Sequence, residues 1–408
     1  MIHARLSTLV ALAVILFAMV PSHAQESASA GNQPAGKPLA GKPPAAPFTR
    51  GVNLSQWFET SSPRSIRFSR YGERDFQELR QMGADVVRLP IYLHAMTSGK
   101  PDYTLDPLFL ELLDQAVDMA ERNGMHIILD NHSFEVLIPT DPKIEMILLK
   151  VWPQMAAHFR DRSDLVIYEI LNEPHGIDPA LWARIQGKVI DAIRKVDPRH
   201  AIIVGGANFN CIPELVKLPK YADRNLIYTY HFYDPMIFTH QGAAFTGPSM
   251  RDLVGVPWPP ESGKIPPVPA TLKGTWVEEN LRGYRESGTA DRMFASLDVA
   301  LKFARERGVP LYCGEFGVMR AKAPAKDRAE WYRAVRSHLE EGGVAWTSWD
   351  YYGSFGMFTH DGPADFERDL DPNIAAAMGF KVPALNTGAR APDASGFDVF
   401  TDAVGNGL

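Results

Sequence analysis

Cysteine is scarce in this chain of 408 residues, which contains only Cys211 and Cys313. Two cysteines could form one disulfide if the protein is exported, and this alternative stays open from the sequence. Cys313 lies inside an apolar run that is typical of a strand, whereas Cys211 lies in a loop after a different strand. Because those strands are not expected to be neighbours, we predict two free thiols.

Long apolar runs are equally rare. The only run that approaches the length of a membrane span covers residues 6–20, and ~15 apolar residues are short for a span. His3 and Arg5 precede this run and the small-residue site Ser22-His23-Ala24 follows it, an order that is typical of an export signal. We therefore predict a signal peptide over residues 1–24, a periplasmic or secreted protein, and no stable membrane insertion. A transmembrane anchor is the alternative.

An excess of positive charge is missing as well. The formal net charge is −6, and there is no long basic run. This argues against nucleic acid as the main partner and gives no electrostatic reason for binding a membrane surface. A neutral substrate is compatible with this charge, although the charge does not identify one.

The chain does contain enough apolar sequence for one large core, since 45% of its residues are hydrophobic. Residues 25–47 are rich in Ala, Gly, Lys, Pro and Ser and predict a flexible linker. From Phe48 onward, strand-like and helix-like segments alternate. We assign residues 48–380 to one folded domain, and residues 381–408, which lack periodicity, to a tail that is only partly ordered.

The alternation predicts an α/β fold of the (β/α)8 TIM barrel type. The predicted strands cover residues 49–54, 85–90, 125–130, 165–171, 201–206, 226–232, 310–315 and 344–350. The predicted helices include Pro107–Asn123, Ile144–Phe159, Pro179–Val196, Asp291–Arg307, Lys326–Glu341 and a weak last helix, Pro372–Met378. Residues 234–289 break the pattern, because Pro and Gly are frequent there and no good helix is evident. So long a loop is usually functional or disordered, and this one follows the sixth strand.

Two glutamates stand at the ends of predicted buried strands. Glu173 follows the run IYEILN and Glu315 ends the run PLYCGE. A turn signal comes soon after each, Pro174 directly and Gly317 after one residue. A parallel barrel that carries a carboxylate at the tip of two strands aims both acids into one cleft. Two facing carboxylates suit hydrolysis of a glycosidic bond, in which one donates a proton and the other acts as nucleophile or base.

Further polar and aromatic residues end other predicted strands. They are Arg88 on the second strand, Asn131 and His132 on the third, Asn172 on the fourth, His231 and Tyr233 on the sixth and Trp349 on the eighth. Each alone has a structural explanation, such as an ion pair for an arginine or a hydrogen-bonded wall residue for a histidine. Their convergence on one face of a barrel favours a functional site.

Seven runs make this pattern specific: RGVNLSQWF, VVRLPIY, ILDNH, YEILNEPHG, HFYDPMIFTHQGA, YCGEFGV and WTSWDYYGSFGMF. From Arg50 to about Asp361 the chain resembles glycoside hydrolase family 5, the cellulase family, and especially its bacterial endo-β-1,4-glucanases and glucomannanases. The resemblance implies a barrel whose acid/base and nucleophile lie at the ends of strands four and seven. We expect no cofactor and no metal.

Carried over residue by residue, the resemblance makes Glu173 the acid/base and Glu315 the nucleophile of a retaining mechanism. Charge on Glu315 disfavours charge on Glu173, so Glu173 is expected to keep its proton. Arg88 would keep Glu315 ionised and oriented, and Tyr233 would donate a hydrogen bond to the same carboxylate. The other residues would meet the substrate or the two carboxylates: Asn172 at the sugar 2-hydroxyl, His132 and His231 along the cleft, and Trp349 as a stacking floor.

Other positions are less firmly tied to the site. Asn131 departs from the pattern, since endoglucanase-type relatives often have two successive histidines where this chain has Asn131-His132, and this departure bears on substrate choice. Trp57 and Phe58 follow the first strand and are flanked by Asn53 and Glu59, and Trp258 and Trp276 lie in the long loop. As a platform, the aromatic residues would extend the cleft over several sugars and favour endo cleavage. Packing of the loop against the barrel is the alternative, which we favour for Trp276 and leave open for Trp258.

A metal hydrolase, a sugar-binding barrel and a transglycosylase are the alternatives to a glycosidase. A metal hydrolase would need tight ligand spacing that is missing here, and a catalytically inactive sugar-binding barrel would be expected to have lost Glu173, Glu315 or Arg88. Transglycosylation differs only in the acceptor. We therefore expect a monomeric, retaining, endo-acting β-glycosidase. Its expected substrate is β-1,4-glucan of the cellulose or mixed-linkage type, with β-mannan, glucomannan or another β-glucan as the alternative.

Overall fold

The computed structural model describes residues 41–133, 135–362 and 364–382. The predicted signal peptide, most of the predicted linker and most of the predicted tail lie outside these residues. At the start of the described part, Ala46 packs against the core, and Lys42 donates a hydrogen bond to the carbonyl of Glu340. None of the helices in the described part has the length and apolar character needed to cross a bilayer.

Eight parallel strands close into one barrel in the order β1 to β8, with β8 hydrogen-bonded back to β1. They are β1 Arg50–Asn53, β2 Val86–Ile91, β3 His126–Asn131, β4 Val166–Glu169, β5 Ala201–Gly205, β6 Leu226–Phe232, β7 Leu311–Phe316 and β8 Ala345–Ser348. The predicted (β/α)8 fold is confirmed, and all eight predicted strands are present with small shifts at their ends. Parallel strands place their carboxyl ends on one face, which gathers the strand-end residues.

Helices cover the outside of the barrel and of its loops. They are α1 Glu73–Met82, α2 Pro107–Arg122, α3 Ile144–Phe159, α4 Pro179–Arg194, α5 Ala207–Asn210, α6 Ile212–Leu215, α7 Met236–Thr239, α8 Trp276–Ser287, α9 Ala290–Arg307, α10 Ala325–Gly342, α11 Phe366–Asp369 and α12 Pro372–Ala377. Asp106 and Asp178 cap α2 and α4 by accepting hydrogen bonds from backbone amides of the first turn. Gly308 and Gly343 end α9 and α10 in the left-handed conformation.

The prediction that residues 234–289 contain no good helix is wrong, because α8 lies within them. Thr275 begins this helix by accepting a hydrogen bond from the amide of Val277. Val277, Leu281 and Tyr284 are buried and share one helical face at spacings of four and three residues. The frequent Pro and Gly residues before Thr275 predict a loop, and the amphipathic pattern that follows them is short.

The rest of that connection is an ordered cover on the barrel. Met250, Leu253 and Trp258 are buried with no more than 2% of their surface exposed. Asp327, in the first turn of α10, accepts a hydrogen bond from the backbone amide of Trp258 at 3.0 Å. These contacts tie the long connection to the outer helices, so it is not a disordered loop.

The interior of the barrel is built in layers, because side chains alternate in direction along each strand. The lowest layer is apolar and consists of Val86, Ile128, Ile167, Ile203, Ile227, Tyr312 and Ala345, with Phe48 packed against it. Two positions further along β2, β3 and β4, the inward layer turns polar and contains Arg88, Asp130 and Glu169. The apolar layer closes the bottom of the barrel, and the polar layer is the floor of the site.

Both cysteines are free thiols, as predicted. Cys313 lies fully buried in β7, and Cys211 lies half-buried after α5. Burial raises the pKa of both thiols, which favours their neutral form.

Truncating Phe48 tests its role in the lowest layer. Its ring is 2% exposed and meets the ring of Tyr312 edge-on, with 5.2 Å between centroids. We expect Phe48→Ala to lower the free energy of unfolding by about 3–5 kcal/mol, because it leaves a cavity. Phe245→Ala removes the same atoms from a side chain that is 47% exposed and should cost less than about 1 kcal/mol. Equal losses in urea unfolding would contradict the role of Phe48.

Candidate active site

Glu173 and Glu315 meet at the carboxyl end of the barrel. One carboxylate oxygen from each, together with a ring nitrogen of His231, lies within 4.8 Å of the others. Inverting glycosidases hold their two carboxyl groups about 6.5–9.5 Å apart to admit a water, whereas retaining enzymes hold them about 5–5.5 Å apart. The observed spacing fits direct attack by one of the carboxylates.

A bulge turns Glu315 into the cleft. Strand pairing between β6 and β7 shifts by one residue just before His231 pairs with Glu315. Simple alternation from Tyr312 would bring Phe316 inward, but Phe316 is packed edge-on against the outer Trp346. The extra residue in β7 is Gly314, where an added Cβ would lie 2.9 Å from Nε2 of His231. A glycine at this point therefore lets the imidazole and the carboxylate occupy the same cleft.

Arg88 lies at the centre of the polar layer and is fully buried. Its Nη1 donates to Oε1 of Glu315 and to Oδ1 of Asn53, both at 2.8 Å. Its Nη2 donates to Oδ1 of Asn172 at 2.7 Å. The expected ion pair between Arg88 and Glu315 is therefore present, and the same guanidinium connects β1, β7 and the residues after β4.

Tyr233 holds the other oxygen of Glu315. Its hydroxyl donates to Oε2 at 2.8 Å, and burial raises the pKa of the phenol, so the hydroxyl keeps its proton. Arg88 and Tyr233 are both donors, and between them they engage both oxygens of the carboxylate. This arrangement suits an ionised, oriented nucleophile.

Glu173 lies in a different environment. Its side chain is 14% exposed, and burial raises its pKa to about 8. Arg88 lowers this pKa and the negative charge of Glu169 raises it, but both influences are smaller than that of burial. The direction agrees with the expectation that Glu173 keeps its proton. Burial is the largest cause, and the charge of Glu169 adds to it.

The two predicted cleft histidines have separate partners. Nδ1 of His231 lies 2.6 Å from Oε1 of Glu173, and burial lowers the pKa of this histidine to about 4. Nδ1 of His132 lies 2.6 Å from Oδ2 of Asp130, and its ring stacks on Trp349 with 5.4 Å between centroids. His231 therefore contacts the acid as a neutral group, while His132 supports the wall beside Trp349.

Three asparagines from the predicted site are buried, and two of them are fully engaged by the protein. Asn53 accepts from Arg88 and donates to the carbonyls of Gly314 and Ser348. Asn131 donates to the carbonyl of Ile170 and accepts from the amide of Ser133. Both side chains brace the strands under the cleft. Asn172 uses its oxygen on Arg88, so the group that it offers to a ligand is the amide Nδ2.

The tryptophans considered for the cleft lie in two different environments. Trp349 is partly exposed beside the cleft, as a stacking floor requires. Trp57 is fully buried with Nε1 bonded to the carbonyl of Phe68, and Trp258 is 2% exposed in the long connection. The platform role expected of Trp57 is therefore wrong, and the choice left open for Trp258 is decided in favour of packing, because neither ring is exposed to a sugar. Trp276 is half-buried and packed against the core, as favoured from the sequence.

Two buried acids were missed from the sequence. Oδ2 of Asp130 lies 3.1 Å from Nη2 of Arg88, and Glu169 accepts from Arg88 through both of its oxygens at 2.7 and 2.9 Å. The signal that could have found them is strand alternation, since both occupy the inward layer of Arg88. A search limited to the ends of strands does not identify these two acids.

Glu173, His231 and Glu315 are also the only group in the described ranges whose ligand atoms are close enough to hold a metal ion. In this structure Glu315 accepts hydrogen bonds from Arg88 and Tyr233, and Glu173 contacts His231. Donors on both oxygens of one acid and a raised pKa on the other are the features of a proton-transfer pair.

A (β/α)8 barrel that holds two carboxyl groups in one cleft, one between two hydrogen-bond donors and the other with a raised pKa, is typical of glycoside hydrolases. The chain belongs to the cellulase family, glycosyl hydrolase family 5, whose family model matches residues 45–354. The resemblance drawn from the seven sequence runs is thereby confirmed.

Most of the similar curated proteins are named endoglucanases, and one is Cellodextrinase A of Ruminococcus flavefaciens. The chain is 30% identical over 335 residues to Endoglucanase 3 of Fibrobacter succinogenes, a match that covers 76% of this chain and 50% of the relative. It is 28% identical over 320 residues to Endoglucanase C of Acetivibrio thermocellus, covering 74% of this chain and 91% of the relative. The chain thus spans about half the length of Endoglucanase 3.

Solved structures with a similar fold include two whose sequences are also similar to this chain. A hyperthermophilic endo-β-1,4-glucanase in complex with substrate is 27% identical, with a TM-score of 0.67 over 81% of this chain and 97% of that one. The cellulose synthase subunit Z of Clostridioides difficile is 25% identical, with a TM-score of 0.67 over 81% of this chain and 99% of that one.

The raised pKa of Glu173 predicts the alkaline side of the pH profile. The acid must be protonated to assist departure of the leaving group, so kcat/KM should fall as the pH rises through about 8. We expect this fall on an unactivated oligosaccharide and a much weaker fall on an aryl glycoside whose leaving group needs little protonation. An equally steep fall on both substrates, measured in initial rates from pH 5 to 10, would contradict the assignment.

Proposed function

We propose that the protein is a retaining endo-β-1,4-glucanase that cleaves cellulose-type or mixed-linkage glucan through a glycosyl-enzyme intermediate. The observation that carries the proposal is the pair Glu173 and Glu315, with oxygens within 4.8 Å. One acid is held between two donors, and the pKa of the other is raised by burial. The endoglucanase names of its relatives support β-1,4-glucan as the substrate.

In the first step, an oxygen of Glu315 attacks the anomeric carbon while Glu173 gives its proton to the glycosidic oxygen. The carbon–oxygen bond breaks, the shortened chain leaves as an alcohol, and the sugar stays on Glu315 as an ester. The amide of Asn172 would donate a hydrogen bond to the sugar 2-hydroxyl. Trp349 offers a ring face to the sugar at the point of cleavage.

In the second step, the ionised Glu173 acts as a base. It takes a proton from a water that attacks the anomeric carbon, and the ester bond to Glu315 breaks. Glu173 ends protonated and Glu315 ends ionised, so both return to their starting states. A sugar hydroxyl in place of water would give transglycosylation by the same route.

The endo mode rests on the relatives rather than on aromatic residues of this chain. Trp57 and Trp258 are buried, so they supply no platform for a long polymer. A catalytically inactive sugar-binding barrel is not favoured, because Glu173, Glu315 and Arg88 are all assembled in the cleft.

The proposal also covers the setting in which the enzyme acts. Residues 1–24 would direct export and be removed, leaving a periplasmic or secreted monomer with residues 25–47 as a linker before the catalytic domain. N-terminal sequencing of the protein from an exporting host, together with its mass in solution, tests both points. An N-terminus that retains residues 1–24, or a stable dimer, would contradict them.

Reducing-end release tests the function directly. The full chain is incubated with carboxymethyl cellulose, mixed-linkage glucan and glucomannan, and Glu315→Gln serves as the matched control. We expect rapid release from at least one β-1,4-glucan and none from the control, which lacks the nucleophile. Release only from a mannan would move the substrate class, and no release from any polymer by a folded protein would overturn the proposal.

The role of Glu173 gives a separate prediction. Glu173→Ala should lose activity on polymers by about 100-fold or more, because general acid assistance is gone, yet retain formation of the intermediate on an activated aryl glycoside. Burst kinetics with that substrate measure this directly. A similar loss on both substrate types would count against Glu173 as the acid.

A further inference from the structure

Three carboxylates form ion pairs with the guanidinium of Arg88, although the proposed reaction uses only one of them, that of Glu315. Asp130 and Glu169 are the other two, and they are 0% and 1% exposed. Glu169 accepts from Arg88 at two points, from Nε at 2.7 Å and from Nη2 at 2.9 Å. Because Glu169 is buried beneath the cleft, it acts on the reaction only through Arg88 and through its charge.

The two-point contact fixes the plane of the guanidinium. A fork of two parallel hydrogen bonds between an arginine and a carboxylate permits essentially one orientation. In that orientation Nη1 of Arg88 reaches Glu315 at 2.8 Å and Nη2 reaches Asn172 at 2.7 Å. The nucleophile and the predicted contact to the sugar 2-hydroxyl are thus both set by how Glu169 holds Arg88.

The cluster carries an excess of negative charge. The charged and titratable groups around Glu169 and Glu173 are Arg88 from β2, Asp130 and His132 from β3, His231 and Tyr233 from the end of β6, and Tyr312 and Glu315 from β7. Burial lowers the pKa of both histidines and raises that of both tyrosines, so these four are uncharged at neutral pH. Burial also raises the pKa of Glu169 and raises that of Asp130 to about 7, while Arg88 lowers both. Within this described cluster, one positive charge faces four acids, so at least one of the acids must retain a proton.

We propose that Glu169 is a positioning residue for the hydrolysis: it holds Arg88 against the nucleophile Glu315, and its charge keeps the proton on Glu173. The inference rests on the proposed function, since it concerns the same acid and nucleophile. The charge of Glu169 raises the pKa of Glu173, whereas Arg88 lowers it. Neutralising Glu169 removes the first influence and leaves the second, so the pKa of Glu173 falls.

Glu169→Gln is the first test, because glutamine keeps the size and one acceptor oxygen but not the charge. We expect the alkaline limb of kcat/KM to move to lower pH by about one unit, the size expected for one nearby buried charge. We also expect kcat to fall by about tenfold or more, since a loosened Arg88 no longer fixes Glu315. A folded Glu169→Gln enzyme with the wild-type limb would overturn the proposal.

Glu169→Asp separates charge from geometry. Aspartate keeps the charge but is one methylene shorter, so it cannot reach both nitrogens of Arg88 in the same way. The alkaline limb should return to its wild-type position while kcat stays reduced at nearly unchanged KM. If Glu169→Gln does not fold, this variant decides alone: a reduced kcat in a folded protein supports the positioning role, and a wild-type kcat overturns it.

Asp197→Asn is the matched control for loss of a buried carboxylate. Asp197 is 0% exposed and bonds to Tyr168 and His200, remote from Arg88 in its contacts. The Asp197→Asn variant should have a lower thermal stability and an unchanged alkaline limb of kcat/KM. An equal shift of the limb in this control would show a general effect of lost stability and overturn the assignment to Glu169.

A readout without turnover separates this inference from the proposed function. Carbon-13 labelling of glutamate side chains allows Glu173 to be titrated by NMR in the wild type and in Glu169→Gln, with Glu173→Gln used to assign the signal. A lower titration midpoint in Glu169→Gln supports the inference even if no glucan is cleaved, and an unchanged midpoint contradicts it even if glucan is cleaved. Failure of the polymer assay by the wild type would affect the proposed function alone.

Discussion

The buried guanidinium of Arg88 is the interaction on which the site depends. Taking an ionised group out of water costs several kcal/mol unless its hydrogen bonds are replaced. Here every nitrogen of Arg88 has an acceptor, supplied by Asn53, Glu169, Asn172 and Glu315. These acceptors come from β1, β4 and its following loop, and β7. A single side chain therefore fixes the relative positions of the strands that carry the acid and the nucleophile.

The layered interior makes this possible. Strand alternation places Arg88, Asp130 and Glu169 directly above an apolar layer that includes Val86 and Ile128. The apolar layer keeps water away from the polar layer, which strengthens each charge interaction there. The same exclusion of water raises the pKa of Glu173 to about 8 and makes it an acid at neutral pH. The apolar layer, which excludes water, and the polar layer, through its charge balance, therefore both favour the protonated form of Glu173.

Much of the fold and the acid pair could be predicted from the sequence, because both depend on local signals. Short apolar runs that lead to Glu173 and Glu315 predict a barrel with two acids on one face. Whether Trp57 and Trp258 are buried or line the cleft could not be predicted in this way. The local sequence around such a tryptophan is the same in both cases. Only the tertiary contacts with Phe68 and with the outer helices decide it.

Two further features could not be predicted from the sequence, for physical reasons. The bulge at Gly314 depends on the register between β6 and β7, and a simple alternation of side chains would have pointed Phe316 into the cleft. The role of Glu169 depends on the position of Arg88, which comes from a strand 81 residues earlier in the chain. In both cases a pairing between distant strands decides which side chain faces inward.

Strand β6 and the residue after it explain why the two acids have different roles. His231 and Tyr233 are two positions apart and therefore lie on the same side of the chain, yet they contact different acids. Tyr233 donates to Glu315, which already accepts from Arg88, so charge is stabilised there. His231 contacts Glu173 as a neutral group, because burial lowers its pKa to about 4, and it brings no positive charge to oppose the proton on that acid. One donor and one neutral ring, aimed at adjacent carboxyl groups, therefore add to the effects of burial and of Arg88, which favour the proton on Glu173 and the attacking charge on Glu315.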